Sequence, residues 1–188
     1  MSDSLEITND VILKAQQGDA AKIGIIFQRY HQSVFRYLYY RVNDPHVAED
    51  LTSEVFMRML RALPEYRLRG ISFQAWLFQI ARNLSVDYFR KTSSHPNVEL
   101  QEELVASDPD PAETAEDSLT SESLRKALAK LPSEQREVLV LRFILGMSIT
   151  EVAAVLKRSE DSVKGLQRRG LVALREYLKA CEILYVGS

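Results

Sequence analysis

From Thr92 to Leu124 the chain carries no Lys or Arg, while Glu99, Glu102, Glu103, Asp108, Asp110, Glu113, Glu116, Asp117 and Glu122 are all acidic. With Ser107-Asp108-Pro109-Asp110-Pro111 in its interior, the stretch is too polar and proline-rich to bury the apolar surface that would offset the entropy of ordering. It reads as a flexible acidic linker over 92–124. Folding is thereby confined to two pieces, residues 1–91 and 125–188, each within the size range of small domains.

The linker also masks the charge of its flanks. The whole chain sets 24 Lys and Arg against 26 Asp and Glu, for a formal net charge of -2, which on its face argues against a nucleic-acid partner. Yet residues 1–91 hold 12 basic against 10 acidic residues, and residues 125–188 hold 12 against 7. Charge read segment by segment leaves both flanks basic, the C-terminal one more so. With 46% apolar and 27% charged residues, the composition is that of an ordinary globular chain and excludes global disorder.

No window approaches the roughly 20 uninterrupted apolar residues of a membrane span. The start Met1-Ser2-Asp3-Ser4-Leu5-Glu6 lacks the basic-then-apolar order of a signal peptide. A cytoplasmic protein with no membrane insertion is expected. Cys181 is the single cysteine, and His31, His46 and His95 have no metal-ligand spacing with it or with each other. Neither a disulfide nor a metal or other cofactor is expected. No Gly-rich phosphate loop and no pairing of nucleophile with base points to catalysis, so no catalytic residues and no small-molecule substrate are assigned.

Both flanks read as helical, giving an all-α fold of two small helical domains. Phe73, Trp76, Leu77, Ile80, Ala81, Leu84 and Tyr88 follow the spacing of one helical face. Asp44-Pro45 is an N-cap followed by proline at the first helical position, opening a helix that runs to Pro64. A long helix from about Asp19 to Val42 precedes it. The run Val138-Leu139-Val140-Leu141 resembles a strand, but Pro132-Ser133-Glu134 before it and Gly146 after it are helix start and stop signals.

Ser148-Ile149-Thr150-Glu151 is a capping box opening a short helix with Ile149, Val152, Ala153 and Leu156 inward. Ser159 caps a second helix, with Val163, Leu166, Gly170, Ala173, Leu174 and Tyr177 on one side. Asp161, Lys164, Gly165 and Arg168 point away from that side, and Arg169 lies at its flank. A recognition helix has such an outer face: Lys and Arg reach guanine O6 and N7 in the major groove, and Ser162 near the helix start binds phosphate. Gly165 lets the helix approach base edges closely. A solvated basic helix in an ordinary bundle has the same appearance, so the helix pair alone points to DNA binding without deciding it.

The N-terminal flank carries more. Asp44-Pro45-His46-Val47-Ala48-Glu49-Asp50-Leu51-Thr52-Ser53-Glu54-Val55-Phe56, then Trp76-Leu77-Phe78-Gln79-Ile80-Ala81-Arg82-Asn83 and Asp87-Tyr88-Phe89-Arg90-Lys91, strongly resemble region 2 of the extracytoplasmic-function (ECF) sigma factors of bacterial RNA polymerase. Leu131-Pro132, Arg136, Val138, Leu141-Arg142 and the helix-turn-helix resemble their region 4. The order of the blocks and the acidic linker also match.

The resemblance implies that residues 1–91 dock on core RNA polymerase and capture the melted minus-ten element, while residues 125–188 read the minus-thirty-five element of promoter DNA. Release from an anti-sigma factor is also implied. Carried over by position, Asp50, Leu51, Glu54 and Phe56 fall on the polymerase-docking helix. Asn83 takes the place that reads an unpaired base, the preceding loop from Arg67 to Ser72 that of the loop forming the base pocket, with Arg82, Arg90 and Lys91 on the phosphates. In region 4 the corresponding DNA contacts are Ser162, Lys164, Gly165, Arg168 and Arg169.

On the residues alone, Asp50 and Glu54 stand one turn apart and suit a basic partner, while Glu49 and Asp50 equally suit a helix N-terminus. Trp76 on the apolar stripe fits core packing better than base stacking. Val86 and Phe89 lie opposite the stripe beside Arg82, suggesting a second contact surface. The recognition helix departs from many relatives in having Gly165-Leu166 after its lysine, so no promoter sequence carries over. The chain stops soon after Cys181, and no C-terminal regulatory extension is expected. A stand-alone helix-turn-helix repressor or activator, and a helical enzyme or adaptor, are the rival readings.

Overall fold

The computed structural model of the chain describes residues 7–93 and 123–185. The expected acidic linker falls almost wholly on residues 94–122, outside the described residues. Among the described residues there are helices and no strands, as expected for an all-α fold. The chain divides into two compact units at residues 99 and 100.

The first unit holds α1 (Asn9–Gln16), α2 (Ala20–Val42), α3 (Pro45–Ala62) and α4 (Phe73–Ser93). Local chemistry sets the helix starts. The Asp19 carboxylate accepts from the N–H groups of Ala21 at 2.9 Å and Lys22 at 3.2 Å. Asn43 closes α2 in the left-handed region at φ 57°, a conformation asparagine tolerates. Asp44 then accepts from Val47 N–H at 3.0 Å, with Pro45 at the first position of α3. The expected stop at Pro64 is softened: α3 ends at Ala62 and the proline sits in a 3-10 turn, Leu63–Glu65.

Ile26, Tyr30, Val34, Tyr37 and Leu38 of α2 pack with Ala48, Val55, Phe56 and Met59 of α3 and with Phe73, Leu77, Phe78, Ala81 and Leu84 of α4. Tyr37 and Phe78 meet edge to face at 5.5 Å, a favourable aromatic geometry. The expected α4 stripe is displaced. Phe78 and Ser85 are buried, whereas Trp76, Ile80 and Tyr88 are only half-buried. α4 packs on both α2 and α3, so its buried arc turns toward the second neighbour.

The second unit holds α5 (residues 123–129), α6 (Ser133–Leu139), a π turn (Val140–Ile144), α7 (Ile149–Leu156) and α8 (Glu160–Tyr185). The Val138–Leu141 run is helical as expected, and Gly146 ends it at φ 67°. The capping box is formed: Glu151 N–H donates to Ser148 Oγ at 3.2 Å, and Ser148 N–H to Glu151 Oε2 at 2.9 Å. Ser159 Oγ accepts from Ser162 N–H at 3.2 Å, and Lys157 turns the chain between α7 and α8 at φ 53°. α8 crosses α6 at Gly170, where an added Cβ would lie 3.2 Å from Leu139 Cγ and Cδ1.

Two glycine substitutions therefore act with opposite signs. Gly170→Val forces methyl groups against buried Leu139 and is expected to cost about 1–3 kcal/mol. Gly24→Ala, in mid-α2 with nothing within 4 Å of the new Cβ, removes a helix-interior glycine and stabilises by about 0.5–1 kcal/mol. Urea unfolding of the full chain, followed by helical circular dichroism, measures both.

Candidate nucleic-acid and polymerase interfaces

Three surfaces emerge, two on the first unit and one on the second. On α8, Asp161, Lys164, Arg168 and Arg169 are exposed and Ser162 and Gly165 half-buried, while Val163, Leu166 and Gly170 face the core. The expected two-sidedness of the helix is present through Gly170. Beyond it the apolar seam outruns the core, with Ala173 and Leu174 half-buried and Tyr177 exposed. Lys164 Nζ lies 3.3 Å from Asp161 Oδ1 on the open surface. Such a pair contributes little, so the lysine is available to another anion. Thr150 donates to Glu160 Oε1 at 2.7 Å, tying α7 to α8, and Arg158 pairs with Glu134, tying the turn between them to α6.

The second surface joins α4 to the loop before it. Gln16 of α1 donates through Nε2 to the carbonyls of Leu63 at 2.9 Å and Tyr66 at 2.7 Å. Tyr66 donates its hydroxyl to Ile71 O at 2.9 Å, and Gly70 N–H donates to Arg67 O at 3.0 Å. Ser72 Oγ accepts from Ala75 N–H at 3.2 Å, capping α4. The Trp76 ring lies 4.9 Å from Tyr66 and 5.4 Å from Phe73. Trp76 thus clamps the loop to α4 with part of its ring still exposed, between the two roles weighed for it.

Asn83 is exposed on α4 two turns beyond Trp76, with no side-chain bond to another of the described residues. Arg90 and Lys91 are exposed, Arg90 pairing with Asp87 at 3.1 Å, and Arg82 is half-buried. Val86 and Phe89 remain 41% and 37% exposed on the far side of the helix.

The third surface is the outer side of α3. Asp50 is exposed, and Leu51 and Glu54 are half-buried. Glu54 accepts from Arg58 Nε at 2.8 Å, and that hydrogen bond holds its carboxyl below the usual value. Phe56 is buried: its ring lies 4.8 Å from Phe27 and 6.1 Å from His31, so it supports the surface from beneath. Sequence reasoning passed over Phe27, Met57 and Leu60, which are 43%, 49% and 39% exposed. Their signal was an excess of apolar residues around α2 and α3, more than one face of each helix can bury.

Among the described residues no group of three or more His, Cys, Asp or Glu is placed to hold a metal ion, and no helix is long and apolar enough to cross a membrane.

Comparison with known proteins assigns the chain to a family. Residues 26–95 match the family model of sigma-70 region 2, and residues 121–174 that of sigma-70 region 4. The chain is similar to the ECF RNA polymerase sigma factor BldN of Streptomyces coelicolor, 37% identical over 179 residues that cover 94% of this chain and 67% of BldN. The ECF sigma factor SigX of Bacillus subtilis is 32% identical, with 82% of each chain covered. The chain belongs to the ECF RNA polymerase sigma factors.

A solved structure of CnrH in complex with the cytosolic domain of CnrY is 25% identical and superposes with a TM-score of 0.70, covering 91% of this chain and 96% of CnrH. Arg82, Asn83, Arg90 and Lys91 lie within the region 2 match, as do Asp50 through Phe56. Ser162 through Arg169 lie within the region 4 match. This sigma factor thus carries its candidate single-strand and duplex contacts on separate units.

Burial pushes the Tyr66 hydroxyl above its ordinary value, near 10. The fold favours the neutral phenol, so its contribution is complete below that value and is lost as pH rises through the higher folded-state value. Tyr66→Phe is expected to cost about 1 kcal/mol at neutral pH, from the lost bond to Ile71. It should also flatten the alkaline fall in stability relative to the parent. Urea unfolding from pH 8 to 11 measures both.

Proposed function

We propose that this sigma factor directs core RNA polymerase to promoters through three separable contacts and lowers the cost of strand opening by differential binding. The observation that carries the proposal is Asn83, exposed on α4 two turns beyond Trp76, on the helix that follows a loop fixed by Gln16, Tyr66 and Trp76. An asparagine offers a donor and an acceptor, and reads a base edge fully only after the base leaves the stack. Residues up to 91 form the unit that docks on polymerase and holds the minus-ten strand. Arg82, Arg90 and Lys91 neutralise its phosphates.

Residues from 125 onward form the unit that reads the minus-thirty-five duplex. Lys164, Arg168 and Arg169 approach bases and phosphates there, and Gly165 leaves room between them. The α3 surface, with Asp50, Leu51 and Glu54 set beside exposed Met57, Leu60 and Phe27 of α2, meets a partner that is apolar at its centre and basic at its edge. That is the chemistry we assign to the polymerase docking element, with Phe56 as its buried support.

The protein acts in the cytoplasm, performs no covalent chemistry and needs no cofactor. An anti-sigma factor holds it until a stimulus arrives; the similar chain CnrH is solved in complex with a protein partner, the cytosolic domain of CnrY. The acidic segment 92–124 follows the polymerase channel, where its carboxylates mimic nucleic acid.

Run-off transcription of pooled genomic fragments by purified core polymerase, with and without the chain, tests this. Discrete products dependent on the chain are expected. Failure to bind core, with tight duplex binding by the chain alone, would favour a stand-alone repressor. Reversing charge at Asp50 and Glu54 to Lys is expected to weaken core binding roughly tenfold or more without lowering the unfolding midpoint. Replacing Lys164 and Arg168 by Ala is expected to flatten the salt dependence of duplex binding by about one unit of slope per charge.

A further inference from the structure

The π turn that follows α6 aims Arg142 at the recognition helix. An inserted residue of this kind rotates the side chains after it relative to a plain α-helix. Arg142 donates through Nη1 to the Met147 carbonyl and through Nε to Gln167 Oε1 at 3.1 Å. Its guanidinium also lies over the Phe143 ring, 5.9 Å from the centroid.

Arginine has donors only, so it fixes which way the glutamine amide faces. The oxygen of Gln167 turns inward and its NH2 turns away. Those two hydrogens meet no acceptor among the described residues. Gln167 is half-buried on α8, three residues after exposed Lys164 and next to exposed Arg168. Because Met147 immediately precedes Ser148, the N-cap of α7, the same clasp sets the start of α7 against this edge of α8.

We propose that Gln167 is a DNA contact of the recognition helix, a donor-only clamp on a backbone phosphate, held in that orientation by Arg142. The proposal rests on the reading that α8 binds duplex DNA. An amide whose oxygen is engaged cannot make the two-bond contact by which glutamine reads adenine. A phosphate oxygen asks only for a donor. The rim of α8 beside the start of α7 is where the first helix of a helix-turn-helix crosses the backbone. Arg142 is a positioning residue here, and its own charge adds a favourable field for the phosphate.

The test uses holoenzyme and a minus-thirty-five duplex selected by it, with each phosphate in turn replaced by a neutral methylphosphonate. Gln167→Met keeps the length of the side chain and removes its polar atoms. The variant is expected to bind about three- to tenfold more weakly, equally on duplexes of different sequence. Its salt slope is unchanged, because an uncharged contact releases no counterion. One methylphosphonate that weakens the parent is expected to leave the variant unaffected.

Arg142→Lys, which frees the amide to turn, is expected to weaken binding without adding to Gln167→Met in the double variant. Equal sensitivity of parent and Gln167→Met to every methylphosphonate would overturn the clamp. So would a loss confined to duplexes that differ at one base pair, which would make Gln167 a base reader. If Lys164→Ala with Arg168→Ala also leaves duplex binding intact, α8 is not the DNA helix and the underlying reading falls. If that pair weakens binding while Gln167→Met does not, the clamp alone falls.

Discussion

Helix phase is the constraint on which the functional surfaces depend. A side chain on an isolated helix faces every direction in turn, and it acquires one direction only when the opposite side is held by a core. Asp19, Asp44, Ser72, Ser148 and Ser159 fix where five helices begin by accepting backbone N–H groups within the first turn. Each such cap is worth about 1 kcal/mol. Buried residues such as Phe78 on α4 and Val163 on α8 then fix the rotation. Asn83 and Lys164 are exposed as a consequence of what lies behind them.

Each unit meets this requirement separately. The first does so with aromatic contacts, Tyr37 on Phe78 inside and Tyr66, Phe73 and Trp76 at the loop. The second relies on aliphatic packing and on a glycine where α8 crosses α6. Two small units with a polar stretch between them suit a protein whose partner, the polymerase, sets their spacing. Under the proposed function, duplex binding by one unit and single-strand capture by the other add up on the open promoter more than on the closed one. A ligand shifts an equilibrium only by its differential affinity for the two states.

The caps and periodicities were legible because they are local: Asp44-Pro45 and Ser148-Ile149-Thr150-Glu151 each announce a helix within four residues, and both helices start there. The family blocks were legible for the same reason. What escaped depended on neighbours distant in sequence. The turn of α4 that leaves Trp76 half-buried follows from packing on two helices, and the burial of Phe56 follows from Phe27, on another helix. The exposed apolar group of Phe27, Met57 and Leu60 is visible only once both helices are in place. The Arg142 clasp on Gln167 needs a π turn that no local signal in Val140–Ile144 announces.

The central claim is that the chain opens promoters by holding an unpaired base better than a paired one, with Asn83 as the reader. Permanganate reactivity of minus-ten thymines, measured with holoenzyme on duplex promoter and on the same promoter already unpaired over the minus-ten element, tests it most directly. On duplex DNA, Asn83→Ala is expected to lower the opening equilibrium constant about 5- to 150-fold, the equivalent of about 1–3 kcal/mol for a well-placed base contact. With the unpaired template, which removes the cost of opening, transcription by the variant is expected to return most of the way to the parent level. Equal opening by parent and variant on duplex DNA would contradict the account.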